Sequence, residues 1–335
     1  MRPIRFPRDG APVLDIWSYA RGASDTGHPL RLTPAQIDHV RRTVTHAPEV
    51  MVKVTGGGGA SSSRGIKAHC SYINRRGELE IETDDGERLK GRDAGLRLLE
   101  DWNLDLDEHR KRPDLFATNR RKAPKLVHRL IFSMPADTPP NKVLSAVRDF
   151  AHEEFGLKHR YAMVLHTDEP HPHVHVVVKA VSEEGERLHI RKATLRAWRQ
   201  EFARHLREHG VEANATERAV RGKVSKNKKD GIYRAALRRD STHMQRCAEE
   251  AVVCIRQGKS LVEPAKANLV KTRRSLERGW LAVAEALERQ GRHHLAGDVN
   301  GFVETMPAPK TDKERMGDQL LRFAKARPDP LEQTR

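Results

Sequence analysis

The sequence is poor in cysteine and has no long apolar run, and each shortage excludes a class of protein. Its cysteines, Cys70, Cys247 and Cys254, are odd in number and lack paired metal spacing, so a disulfide framework is not expected and a reducing compartment fits. No apolar run approaches the roughly 18–20 residues that a transmembrane helix needs. The N-terminus also lacks the apolar core of a secretory signal. We therefore expect a cytoplasmic protein that does not insert into a membrane.

Acidic residues are also in the minority. The chain has 62 Lys and Arg against 46 Asp and Glu, which gives a formal charge of +16 and a sequence pI near 10.0. A surplus of this size favours a polyanionic partner, and nucleic acid is preferred over an anionic membrane surface. Basic residues concentrate at 107–129 and 218–239, and we expect these clusters to follow nucleic-acid phosphates. A basic soluble protein without such a partner is the alternative.

The most informative segment is RYAMVLHTDEPHPHVHVVVKA, residues 160–180. Two apolar, β-branched runs flank a short polar segment that contains two prolines, a pattern typical of two strands joined by a turn. Side chains alternate faces along a strand, so His173 and His175 point to the same side. His166 ends the first strand, and folding the hairpin brings it toward that pair. The spacing therefore predicts a metal site built from three imidazoles.

The residues leave the identity of the ion open. Neutral imidazole binds Zn²⁺, Mn²⁺, Fe and Ni²⁺ alike. Asp168 and His171 lie in the predicted turn and are available to orient the ligands. The alternative is that the histidines are incidental, but unpaired buried imidazoles would then be desolvated without compensation.

A second chemical group is found in AHCSYINRRGELEI. Tyr72 is followed one turn later by Arg75 and Arg76, so the phenol lies in an electropositive setting. Such a setting favours phenolate and attracts a phosphodiester. The alternative is that Tyr72 packs as an ordinary helix aromatic. Tyr161 begins an apolar strand, and we expect it in the core.

The remaining pattern predicts helices and strands in alternation, and then a helical region beyond residue 214. Helices are predicted at 34–45, 66–74, 141–155, 192–209, 233–257 and 264–290. Besides the His hairpin, strands are predicted at 52–54, 127–132 and 187–190, with a second hairpin at 78–89.

The order of four motifs, VKVTGGG, HCSYINRRGELEI, HRLIFSMPADT and HTDEPHPHVHVVV, resembles the relaxases of conjugative and mobilisable plasmids. These enzymes belong to the HUH endonuclease superfamily, and the nearest likeness is to the T-DNA border endonucleases. In related replication initiators the nucleophilic tyrosine follows the His segment, whereas here the candidate precedes it, and this order favours a relaxase. The resemblance covers residues 51–222.

The resemblance implies an α+β fold, with an antiparallel sheet of about five strands, flanking helices and a helical C-terminal region. It also implies three domains: an N-terminal extension at 1–50, a relaxase domain at 51–222, and a basic linker with helices at 223–335. The implied cofactor is a divalent ion, Mg²⁺ or Mn²⁺, although three imidazoles bind softer ions more tightly.

The resemblance also assigns roles to individual residues. Its candidate site consists of Tyr72 as nucleophile, His166, His173 and His175 as metal ligands, Asp168 as a supporting carboxylate, and Ser133 as a contact to DNA at the nick. Eight further residues are expected to bind DNA: Arg75, Arg76, Arg120, Arg121, Lys122, Arg218, Arg221 and Lys223. A capping hydroxyl is the alternative for Ser133.

The implied activity is that of a site- and strand-specific relaxase. It would nick a transfer origin by metal-assisted transesterification and remain attached through a 5′-phosphotyrosine. The implied partners are single-stranded DNA at the origin, an accessory DNA-binding protein, a coupling protein and a type IV secretion apparatus. Two alternatives are a cupin-like metal-dependent enzyme on small molecules and a non-catalytic DNA-binding protein.

Overall fold

The computed structural model describes residues 14–20, 31–55, 59–104, 124–223 and 241–325. These residues fall into two compact units. The first contains the described residues of 45–215, and the second contains those of 14–44 together with those of 216–325. The domain boundaries predicted at residues 50 and 222 stay a prediction. In the described part of the chain, no helix is both long and apolar enough to span a membrane.

The strands are β1 (Met51–Val54), β2 (Ile81–Thr83), β3 (Arg88–Leu89), β4 (Val127–Ser133), β5 (Tyr161–His166) and β6 (His173–Lys179). The α-helices in the described ranges are α1 (Ile16–Ala20), α2 (Pro34–Val44), α3 (Ser63–Ile73), α4 (Ala94–Asp101), α5 (Pro140–Phe155), α6 (Lys192–Glu208), α7 (Thr242–Arg256), α8 (Ala265–Arg289), α9 (His293–Glu304) and α10 (Asp312–Lys325). A 3₁₀ turn, Arg75–Gly77, follows α3.

The six strands form one antiparallel sheet in the order β1-β4-β6-β5-β2-β3. The predicted fold class is therefore confirmed, with one strand more than expected. The β5–β6 hairpin occupies the middle of the sheet. Its register sets His166 directly opposite His173, and β4 sets Ser133 opposite His173 from the other side. Residues opposite one another in such a ladder share a face of the sheet.

The two faces of the sheet are covered by different helices. The valines that alternate with the β6 histidines face α5 and α6, in an aromatic core where the Phe132 and Phe150 ring centroids are 4.9 Å apart. Trp198 and Phe202 of α6 are fully buried in the same core. On the opposite face, α3 and α4 pack through residues such as Ile66 and Leu98. The helix that carries Tyr72 therefore lies on the face that carries His173 and His175.

The second unit has its own apolar core, formed by α1, α2, α8 and α9. Ile16, Trp280, Leu287 and Val299 are buried in this core. Gly279 permits the close crossing of α1 and α8, because a Cβ at that position would lie 2.4 Å from the Ile16 carbonyl oxygen. Helices α7 and α10 pack against each other.

Two predictions about local structure were wrong or incomplete. Residues 187–190 do not form a strand, since only an isolated bridge joins Arg187 to Val181. The apolar Leu188 and Ile190 pack against the core as part of an irregular segment. Helices α1, α4 and α9 were not predicted. Helix α4 is short, and its N-cap residue Asp93 makes no side-chain capping hydrogen bond, so a clear start signal is missing.

Candidate active site

The central hairpin brings three histidine rings together. The His166, His173 and His175 ring centroids lie 4.5 to 5.3 Å from one another. One ring nitrogen from each residue lies within 4.8 Å of the others, and all three residues are buried. No other group of this kind occurs among the residues that the structure describes. Strand alternation and hairpin register alone produce this convergence, as the sequence pattern predicts.

The chemistry of these rings fits a metal site. His173 Nδ1 is 3.0 Å from the His171 carbonyl oxygen, a backbone contact that orients the ring. His175 Nδ1 is buried and has no hydrogen-bond partner among the described residues. Burial, followed by the neighbouring rings, lowers the pKa of His175 to about 3. Burial also lowers the pKa of His166. Neutral imidazoles are the form that binds a cation, so the three rings fit a divalent ion.

Helix α3 places Tyr72 beside the three rings. Ser62 caps the start of the helix, and its side chain accepts a hydrogen bond from the Gly65 amide at 3.2 Å. It buries one side against the sheet, so Tyr72 projects at the helix end. The Tyr72 ring centroid lies 6.1 Å from that of His175, and the residue is 58% exposed. This exposure disfavours the alternative of a packed helix aromatic.

A fourth histidine completes the group and was missed by the sequence reasoning. The His69 ring centroid is 6.2 Å from that of His175 and 6.4 Å from that of Tyr72. Burial, followed by the positive potential of Arg129, lowers the pKa of His69 to about 4. The sequence did contain a signal for His69, because a residue three positions before Tyr72 lies on the same side of a helix as Tyr72.

Arg75 points into the site. Its guanidinium forms an ion pair with Asp168 and packs on Tyr72, with Cζ 5.3 Å from the ring centroid. Its Nη2 also lies 3.1 Å from His166 Nδ1. Slight burial acts to raise the pKa of Asp168, but the hydrogen bond from Arg75 outweighs it, so the pKa is lowered. The neighbouring Arg76 is exposed. The Arg75 guanidinium therefore contacts Asp168, Tyr72 and His166, and so links the first two residues to the histidine cluster.

Ser133 lies on the same face of the sheet. It is buried at the end of β4, opposite His173 in the ladder, and its hydroxyl donates to the Met134 carbonyl at 3.4 Å. Its assignment as a DNA contact stays a prediction.

The structure does not test the other six residues predicted to bind DNA. Arg120, Arg121 and Lys122 lie outside the described residues. Arg218, Arg221 and Lys223 belong to the second compact unit, where they follow residue 215 in an irregular segment. The roles predicted for these six residues stay predictions.

Comparison with known proteins points to one family. Residues 82–211 match the family model described as relaxase, MobA/VirD2-like, nuclease domain. This range contains Ser133, Asp168 and the three clustered histidines, and it begins after Tyr72.

The chain is also similar to curated proteins. It is 27% identical over 187 residues to T-DNA border endonuclease VirD2 of Rhizobium radiobacter, an alignment that covers 52% of this chain and 43% of the relative. It is 26% identical over 190 residues to VirD2 of Agrobacterium fabrum, covering 52% and 41%. The matches thus span less than half of each relative's length.

A solved structure from work on the molecular basis of vancomycin resistance transfer in Staphylococcus aureus aligns with 50% of this chain and 99% of its own. Its sequence identity is 15% and its TM-score is 0.34, which is too low to carry an argument. The family-model match and the VirD2 relatives carry the resemblance. Residues 82–211 therefore match the relaxase nuclease domain of MobA/VirD2-like proteins, in a chain that is similar to the VirD2 endonucleases.

Proposed function

We propose that this chain nicks one strand of DNA at a transfer origin, with Tyr72 as the nucleophile. The proposed cofactor is a divalent cation, Mg²⁺ or Mn²⁺, held by His166, His173 and His175. The observation that carries the proposal is the exposed Tyr72 ring, whose centroid lies 6.1 Å from that of His175. A phenol and a cation site this close can act on the same phosphodiester.

The proposed reaction exchanges one phosphodiester for another. The Tyr72 oxygen forms a bond to phosphorus, and the bond from phosphorus to the 3′ oxygen breaks. The phenol loses its proton, and the departing oxygen takes one up as a 3′-hydroxyl. The chemistry supplied by a bound divalent cation is neutralisation of the charge that grows on the phosphate oxygens. Because a phosphodiester is lost and another gained, the step needs no ATP and can be reversed to rejoin the strand.

Asp168 and Arg75 support the nucleophile in this proposal. The low pKa of Asp168 keeps its carboxylate ionised, so it holds the Arg75 guanidinium at the face of the Tyr72 ring. Before the cation binds, this arrangement fixes the direction of the phenol and makes its surroundings positive. Ser133 is proposed to contact the DNA beside the nick, from the strand next to the histidines.

Two basic side chains on the same sheet face support a path for single-stranded DNA. Lys53 of the edge strand β1 lies opposite Ile131, which in turn lies opposite His175. Arg129 is on this face two residues before Ile131, and its Nη2 donates to the Gly65 carbonyl at 2.7 Å. Among the described residues no carboxylate pairs with either cation. Two unneutralised cations beside the histidines suit the phosphates of a bound strand.

We expect the double replacement Lys53→Gln and Arg129→Gln to weaken binding of a single-stranded oligonucleotide by roughly tenfold at low salt. The slope of log affinity against log salt should become shallower by about 1.4, because two phosphate contacts are lost. Fluorescence anisotropy over a salt series measures both. Lys158→Gln is the control, since this exposed lysine lies in the turn before β5, and His166 is at the other end of that strand. Equal losses in the control and the double variant would refute this DNA path.

The remaining partners are proposed from the relaxase assignment. They are an accessory DNA-binding protein, a coupling protein and a type IV secretion apparatus. A relaxase is favoured over a cupin-like enzyme because Tyr72, Arg75 and Asp168 cluster at the histidine rings. The cupin-like alternative assigns no role to a tyrosine between a cation site and an arginine.

The test is to incubate the protein with Mn²⁺ or Mg²⁺ and a supercoiled plasmid that carries the origin region next to the protein's own gene. The expected product is a nicked circle with protein attached to one end. Nicked circles without attached protein would contradict the covalent mechanism. Salt-sensitive binding without any nicking would favour the non-catalytic alternative.

A further inference from the structure

The protonation state of His166 follows from its two neighbours. Guanidinium nitrogens can only donate hydrogen bonds, so His166 Nδ1 accepts the one from Arg75 Nη2 at 3.1 Å. The ring proton is then on Nε2, which donates to the Ile73 carbonyl oxygen at 2.6 Å. The one lone pair of this neutral ring therefore points at Arg75.

A metal ion needs that same lone pair. Each histidine ligand offers one unprotonated ring nitrogen, and Nε2 of His166 is already committed to the Ile73 carbonyl. We infer that Arg75 and a divalent ion compete for His166 Nδ1, so that Arg75 must withdraw before the three rings can hold the ion together. Repulsion between the guanidinium and a dication acts in the same direction. This inference rests on the metal site of the proposed function and adds a residue that sets its affinity.

The backbone at Arg75 is held in place, so the side chain of Arg75 must move when the ion replaces it at His166 Nδ1. Arg75 and Arg76 have φ values of 52° and 59°, a left-handed conformation that is unusual for arginine. Asn74 fixes the turn, because its Oδ1 accepts from the Gly77 amide at 3.1 Å and its Nδ2 donates to the Gly91 carbonyl at 3.1 Å. Asn74 is fully buried.

Asp168 offers the displaced guanidinium a place to go. Its side chain is 52% exposed, whereas that of Arg75 is 27% exposed. Rotation of Arg75 toward the solvent side of Asp168 frees His166 Nδ1 and keeps the ion pair. The same movement turns the guanidinium outward, where a DNA phosphate can reach it. The DNA contact predicted for Arg75 then follows metal binding.

The measurement that tests competition is the affinity for Mn²⁺, determined by isothermal titration calorimetry on the full chain without DNA. Arg75→Gln should bind Mn²⁺ about tenfold more tightly than the wild type, since a competitor and a unit of positive charge are removed. Arg75→Lys keeps the charge and a donor, and its affinity should stay near the wild-type value. Arg76→Gln is the matched control, because it removes the same charge from the same left-handed turn. Its affinity should change by less than about twofold.

The opposite sign overturns the inference. If Arg75 instead orients His166 for the ion, Arg75→Gln will bind Mn²⁺ more weakly or equally well. Thermal unfolding without metal checks that each variant is folded. Failure of this inference and failure of the proposed function can be told apart. If the variants rank as predicted in Mn²⁺ affinity but the protein does not nick DNA, only the proposed function is overturned. Absence of Mn²⁺ binding in every protein would overturn this inference together with the metal site.

Discussion

Replacement of Tyr72 by Phe is expected to abolish the covalent attachment of the protein to DNA. The substitution removes only the phenolic oxygen, and the ring keeps its positions against His175 and Arg75. Nicking should therefore fall by roughly 10³-fold or more, as when a nucleophile is deleted. Affinity for a single-stranded oligonucleotide should stay within about twofold. A labelled oligonucleotide that spans the nick, followed by denaturing electrophoresis, measures the attachment, and anisotropy measures the affinity.

Tyr161→Phe is the matched control. Tyr161 begins β5 and is buried, and burial raises its pKa to about 12, so its oxygen is neither accessible nor readily ionised. We expect attachment at close to the wild-type level in this variant. Covalent attachment that persists in Tyr72→Phe would move the nucleophile elsewhere in the chain.

The second large effect is expected for the double replacement of His173 and His175 by Ala. Two of the three buried rings are lost, so the remaining ring cannot hold a divalent ion by itself. Mn²⁺ binding measured by calorimetry should disappear, and nicking should fall by roughly 10²–10⁴-fold. The low background that remains should no longer respond to added Mn²⁺.

His171→Ala is the control for this variant. The side chain of His171 is exposed, and its contribution to the site is the backbone carbonyl that faces His173 Nδ1, which Ala retains. Metal affinity and nicking should therefore stay near the wild-type values. Metal-dependent nicking in the His173→Ala, His175→Ala protein would show that the ion binds elsewhere.

The histidine cluster could be predicted because its geometry depends on local rules. Strand alternation sets His173 and His175 on one face, and a short turn fixes His166 opposite His173. The position of Tyr72 depended on the packing of a helix on the sheet, which the sequence indicated only through the order of motifs. Sheet order was not predictable from local pattern, because β1 and β4 are far apart in the chain.

The direction of Arg75 was beyond sequence reasoning. It depends on two consecutive arginines with positive φ, a conformation that local preference disfavours and that tertiary contacts of Asn74 maintain. Asn74 and Gly77 are visible in the sequence as turn residues, but they do not indicate where a side chain between them points. The structure shows Arg75 bound to Asp168 and His166, and the DNA contact predicted for Arg75 stays a prediction.

The central claim is that Tyr72 becomes linked to DNA beside a cation held by the histidines. The most direct measurement is mass spectrometry of the protein–DNA adduct after digestion with trypsin and nuclease. We expect a nucleotide phosphate on the peptide from Ala68 to Arg75, which contains Tyr72, and formation of this adduct only when Mn²⁺ or Mg²⁺ is present. A nucleotide phosphate on any other peptide, or an adduct that forms equally well in excess chelator, would show that Tyr72 and the histidine-bound cation do not carry the reaction.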